Sequence, residues 1–246
     1  MMSHQSTENR STDNKFFGLF ALFITLVVFG GFALNWISDP NKLDRVTLWT
    51  GLHGAFSAGW YLLLLSQIKL AGKGNYSTHK TFGKLSVFLV LGILLTGSIV
   101  VFEFYHRLAG FGVFNPEDPQ ARIRAGGFLG GVFLQWLIFL LLYVLGILSI
   151  KNPARHKRFM LAAAIQLMPE GLNRLAHLLS IPGFSMFIFM FSIYLILMLY
   201  DWKVHGRIYA STLLSFVLFC LLALSMHTIF KWQAWGDWSV KIISSI

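Results

Sequence analysis

The sequence predicts an all-α, polytopic integral membrane bundle of about seven transmembrane helices, and three observations lead to that class. Of 246 residues, 56% are hydrophobic and only 12% charged, with a mean hydropathy of +0.65; a soluble core cannot absorb that much apolar surface. Apolar runs long enough to cross a hydrocarbon layer recur along the whole chain. The lysines and arginines fall between those runs, as in membrane loops.

Taken in order, the first fifteen residues, "MMSHQSTENRSTDNK", are polar and read as a disordered cytoplasmic tail. The run that follows is too long for the hydrophobic region of a signal peptide and lacks a small-x-small exit, so it is expected to remain as the first span. Residues 16–246 then form one transmembrane domain. Its spans are expected near Phe16–Ile37, Val46–Ile68, Phe82–Tyr105, Gly127–Ile150, Phe159–Ser180, Phe184–Tyr200 and Tyr209–Phe230. At a rise of ~1.5 Å per residue most of these reach about 30 Å, the thickness of the hydrocarbon core. The sixth is the shortest. "GGF" at 30–32 and "GGFLGG" at 126–131 permit close helix approach, and Gln67, Gln135 and Gln166 are candidates for hydrogen bonds between helices. Trp202, Trp232, Trp235 and Trp238 suit an interfacial belt.

With seven spans, twelve Lys and Arg residues lie on the side of the N-terminus and seven on the other. The positive-inside rule therefore puts the N-terminus in the cytoplasm and the C-terminus outside, in the cell's inner (plasma) membrane. The formal charge of +10 points to anionic lipid headgroups as partner, with other membrane subunits as a further expectation, and not to nucleic acid, because the basic residues form no single soluble face. The lone cysteine, Cys220, excludes an intramolecular disulfide. Three basic loops, "STHKTFGKL", "PARHKRFML" and "KVHGRIYAS", each place a His beside Lys or Arg ahead of a new helix, which suggests a repeated hairpin. On residue type alone, His79, His156 and His205 are interfacial residues of that cytoplasmic side.

The polar residues within the spans collect in the outer half. His53 falls about 10 Å below the outer end of its span. Glu103 and His106, three apart, share a helix face, and Glu170, Arg174 and His177 form a stripe at i, i+4 and i+7 that begins at a kink imposed by Pro169. His227 closes the last span. Glu170 and Arg174 either neutralise each other to hold the kink or belong to a site; ionisable groups inside a membrane raise the second reading by default. If functional, His53, Glu103, His106, Glu170, His177 and His227 offer a nitrogen and oxygen set for iron, copper or zinc, or two of the imidazoles ligate haem b with Arg174 or Arg107 beside a propionate. The long outer loop around Pro116 and Pro119 is either a cap over that site or a plain surface loop. The chain has no Walker, GxSxG or HExxH motif, so nucleotide hydrolysis, serine hydrolysis and zincin chemistry have no support.

His53 with Trp60 and Gln67, then "HKTFGKL" at 79–85, then "HKRFMLAAAIQLMPEGLNRL" at 156–175 resemble a group of poorly characterised bacterial multi-pass membrane proteins. In these, a His in one span precedes His-Arg-x-x-Gly and a later His-Lys-Arg-x-Met; here Lys80 stands where Arg is expected. That group is remotely similar to transmembrane cytochromes b. The resemblance covers spans two to five and implies axial haem ligation by His53 and a partner such as His177. The expectation is therefore a membrane protein that binds haem or a redox metal for electron transfer or respiratory-complex assembly. The alternatives are a transporter or proton relay, and a non-catalytic accessory subunit.

Overall fold

The computed structural model describes residues 2–112 and 114–245, with side chains from residue 12 onward except at position 45. Among the described residues it is entirely helical. Nine α-helices follow one another: α1 (Met2–Ser38), α2 (Leu48–Gly72), α3 (Tyr76–Gly110), α4 (Pro119–Leu148), α5 (Pro153–Gln166), α6 (Pro169–Leu178), α7 (Ser185–His205), α8 (Ala210–His227) and α9 (Gln233–Ile243).

Local chemistry sets the boundaries. Thr47, Asn75, Asp118 and Asn152 each cap a helix start by accepting a backbone N–H, and Pro119, Pro153 and Pro169 occupy first-turn positions where no N–H is needed. Gly206, at φ +65°, turns the chain out of α7, a conformation that favours glycine.

Five helical segments are long and apolar enough to span a membrane: Thr12–Ser38, Tyr76–Gly110, Pro119–Leu148, Ser185–His205 and Ala210–Lys231. Two of the seven expected spans are not among them. In α2, His53, Trp60, Tyr61, Gln67 and small residues dilute an otherwise apolar helix. The fifth expected span is divided. Pro169 has no N–H to give to Ile165, whose carbonyl instead accepts from Met168 at 3.1 Å. The chain therefore breaks at Leu167–Met168 instead of bending. Together α5 and α6 run alongside α1, since Lys157 meets Asp13 near one end and Gly31 abuts Gly171 near the other.

Two other expectations are revised. The backbone is helical from Met2, and within the stretch read as a tail Asp13 is buried against α5 and α7. The long outer loop shrinks to residues 111–118, because α3 and α4 extend into it from both sides.

The core lies where α2, α3, α4 and α5 meet. Trp60 packs edge-on to Phe139 and Tyr143 at 5.3 and 5.7 Å between ring centres, and Tyr143 shares a hydrogen bond with Ser86 at 2.8 Å. Aromatic edges meeting faces in this way follow the ring quadrupole. Of the glycines expected to permit close approach, Gly31, Gly126, Gly130 and Gly131 do so, whereas Gly30 meets nothing within 4 Å. A Cβ on Gly171 would come within 2.7 Å of Val28 Cα, and one on Gly126 within 2.8 Å of Gly236 Cα, where α9 folds onto α4. Where lipid competes equally for apolar side chains, such tight backbone packing is what joins helices.

Candidate functional site

α2 with α3, and α4 with α5, form two helical hairpins that are closely packed internally and touch each other sparsely. Between them is a cavity of about 120 Å³, room for on the order of ten waters. It sits at the end where α3 and α5 begin, and its lining includes His79, Gly83, His156 and Lys157 among apolar residues such as Phe17, Leu64 and Leu161.

The two histidines arrive there by the same local route. Asn75 caps α3 by accepting from Thr78, and Asn152 caps α5 by accepting from Arg155; in each helix the His stands four residues after the cap. Each ring then reaches back to a carbonyl near the end of the preceding helix. His79 Nδ1 lies 3.2 Å from Gln67 O and His156 Nδ1 2.8 Å from Gly146 O. A carbonyl only accepts, so both Nδ1 atoms carry the proton and both Nε2 atoms are bare in the neutral ring. Burial pushes His156 below its ordinary value, outweighing the hydrogen bond to Gly146 that acts the other way. The ring centres are 6.3 Å apart.

That arrangement is suited to a shared ligand. A bare imidazole nitrogen is a donor that transition metals take, and His79 and His156 would be the residues to hold one there. A ring whose other nitrogen donates to a carbonyl is the usual form of a ligating histidine. Trp60 and Gln67 also line the cavity, and Trp60 Nε1 and the Gln67 amide Nε2 and Oε1 are buried with no hydrogen-bond partner among the described residues. A Cβ on Gly83 would meet nothing within 4 Å, so the face one turn beyond His79 is open.

The third basic loop does not repeat the pattern, since His205 ends α7 instead of entering the next helix. It belongs to a separate polar cluster beside the cavity. Asp13 Oδ1 accepts from Tyr200 Oη at 2.6 Å and pairs with His205 Nε2 at 2.9 Å, while its other oxygen meets Lys157 Nζ. Next to it, Arg158 and Asp201 form an ion pair whose side chains are 3% and 2% exposed. Asp201 also accepts from Thr212 Oγ1 at 2.6 Å and Tyr209 N at 3.3 Å, and the Arg158 guanidinium lies 3.8 Å over the Tyr209 ring.

The outer-half residues are arranged differently. His53 donates from Nδ1 to Thr96 Oγ1 at 3.2 Å, because that hydroxyl gives its own proton to Gly92 O at 2.5 Å. Gly97 makes the space: a Cβ there would be 2.9 Å from His53 Cε1 and 2.6 Å from Trp136 Cζ2. Glu170 and Arg174 lie within electrostatic reach of His53. They do form the expected pair, at 3.6 Å, yet with side chains 48% and 32% exposed. Arg174 is further held by the Glu170 carbonyl at 2.6 Å and by the Phe32 ring at 3.9 Å. Glu103 instead accepts from Thr47 Oγ1 at 3.2 Å, tying the end of α3 to the start of α2. His106, His177 and His227 are exposed, and His227 rests against Phe187. Among the described residues no three His, Cys, Asp or Glu side chains come together as a metal site.

Sequence reasoning missed Asp13, Arg158, Tyr200 and Asp201. Asp201 carried a readable signal, being a single acidic residue at the end of an apolar run, where an unpaired carboxylate is costly. Asp13 carried none, because its neighbours are polar. Fold and site define a polytopic helical protein with five membrane-length helices and a two-histidine cavity at its basic end. In comparisons with known proteins, the chain matches no family model, no curated protein and no solved structure.

Proposed function

We propose that this protein is an electron carrier of the cytoplasmic membrane that binds haem b between His79 and His156. The observation that supports the reading is the pair of half-buried imidazoles on opposite hairpins, each anchored through Nδ1 to a backbone carbonyl and with ring centres 6.3 Å apart beside one cavity. His79 and His156 would hold the iron, which would supply one-electron exchange. The cavity is smaller than the macrocycle, so a haem held there would require the two sparsely packed hairpins to part further. This reading moves the ligands from His53 and His177, the second of which is exposed, to the basic end. It includes seven passes of the membrane, the broken α5 and α6 counting as one, with the N-terminus and the cavity on the cytoplasmic side.

The test is the absorption spectrum of detergent-purified protein, oxidised and dithionite-reduced, with haem quantified on the same sample. The expected result is a b-type reduced spectrum with about one haem per chain. It should be lost or converted to a five-coordinate form in His79→Ala and in His156→Ala, and kept in His53→Ala and His177→Ala. Protein without haem, or haem retained at full occupancy in the His79→Ala/His156→Ala double variant, would overturn the proposal.

A further inference from the structure

The exposed cations of the basic end find no carboxylate within the molecule. The acidic residues described there are Asp13 and Asp201, and both are buried and already matched by Lys157 and Arg158. Lys69 and Lys73 at the end of α2, Lys80 and Lys84 in the first turns of α3, and Lys151 and Arg155 around the start of α5 are all exposed. None of them enters an ion pair among the described residues, whereas at the far end Arg122, Arg124 and Arg174 pair with Asp237, Asp118 and Glu170. Lys80 and Arg155 each stand next to one of the histidines whose ring centres are 6.3 Å apart, so the α2–α3 and α4–α5 turns lie side by side and their charge is pooled.

We propose that these paired basic turns hold the headgroup of an anionic phospholipid, whose acyl chains lie on the exposed faces of α3 and α4. Both helices are long and apolar enough to span a membrane. Below Lys84, α3 exposes Phe88, Leu91 and Leu95; on α4, Leu137, Leu141, Val144 and Leu148 are exposed and lead up to Lys151. Steps of three and four keep each stripe on one helix face, so on both hairpins a cation stands at the head of an apolar strip, the pattern that a phosphate above acyl chains complements. Exposed Tyr76, which opens α3, and exposed Trp202 near the end of α7 suit the headgroup layer, where aromatic rings with a polar edge collect. Lysine stems can lie along the strip while their ammonium groups reach up to that layer. Each Lys or Arg held at an anionic lipid surface strengthens binding roughly fivefold. A soluble acidic partner would match the charge and leave the apolar strips without use.

The experiment offers the detergent-purified protein equal amounts of phosphatidylglycerol and phosphatidylcholine with identical acyl chains and reads the lipid retained by native mass spectrometry. Wild-type protein should retain the anionic lipid over the zwitterionic one by more than about tenfold, and Lys80→Gln/Lys84→Gln/Lys151→Gln/Arg155→Gln should bring the two within about twofold of each other. Lys80→Arg/Lys84→Arg/Lys151→Arg, which keeps the charge, should keep the preference, as should Lys231→Gln/Lys241→Gln at the far end. Equal retention of the two lipids by the wild-type protein, or a preference undiminished in the four-residue glutamine variant, would overturn the proposal. Release of the phosphatidylglycerol by millimolar inorganic phosphate at constant ionic strength would make this a site for free phosphate and would overturn it as well. Haem content does not enter the readout, and the lipid preference holds or fails independently of the haem reading.

Discussion

The two ends of the bundle handle charge in opposite ways. At the basic end, Asp13, Arg158 and Asp201 are enclosed, and each is met by several partners from other helices. At the far end, Glu170 pairs with Arg174 on its own helix and Arg122 with Asp237 at 2.6 Å, and these side chains remain partly exposed. The sequence draws attention to the far end because Glu170, Arg174 and His177 interrupt an apolar run. The structure places the built environment at the other end. Density of polar residues along a chain marks where charge is tolerated; enclosure by several helices marks where it is organised, because only there does loss of one partner strand another.

The sharpest test of this contrast is the buried ion pair. Arg158→Met leaves Asp201 enclosed without its cation and should cost about 3–5 kcal/mol, whereas Arg158→Met/Asp201→Leu should recover most of that loss. Unfolding in detergent, followed by helical circular dichroism, reads both, and equal losses in the single and double variants would dissolve the comparison. A smaller effect is expected where α1 crosses α6. Gly171→Ala drives a Cβ into the Val28 backbone and should cost about 1–3 kcal/mol. By contrast Gly30→Ala, one residue from the crossing and with nothing within 4 Å, should be neutral or gain up to about 1 kcal/mol. At the far end, Arg174→Met should cost no more than about 1 kcal/mol, since neither member of its pair is enclosed; a loss matching that of Arg158→Met would place that pair in an equivalent environment. The smallest change in stability should come from Gly83→Leu, whose side chain enters open space. Thermal stability should hold while haem content falls, and unchanged haem content would remove Gly83 from the cavity's working face.

Much of the architecture was legible in the sequence. Six of the seven apolar runs correspond to continuous helices, and caps such as Asn75, Asn152 and Asp118 lie at their starts. Pro169 was legible as a disturbance, but a kink and a break differ by whether Ile165 O finds another donor, and Met168 N supplies one. The far-end site was legible in part: Glu170 does pair with Arg174, and both lie near His53. Glu103, His106, His177 and His227 do not join them, because a shared depth in a membrane fixes one coordinate only, and the rotation of each helix decides the rest.

Sequence alone determined the all-helical class and the positions of most of the helices, since hydropathy, capping and proline act over a few residues. Tertiary structure alone decided that His79 and His156, 77 positions apart, face one cavity and that Asp13 belongs to the same end. Convergence of this kind depends on how hairpins pack, and in a membrane that packing is governed by close contacts such as Gly31 with Gly171 and Gly126 with Gly236, which hydrophobic periodicity does not encode.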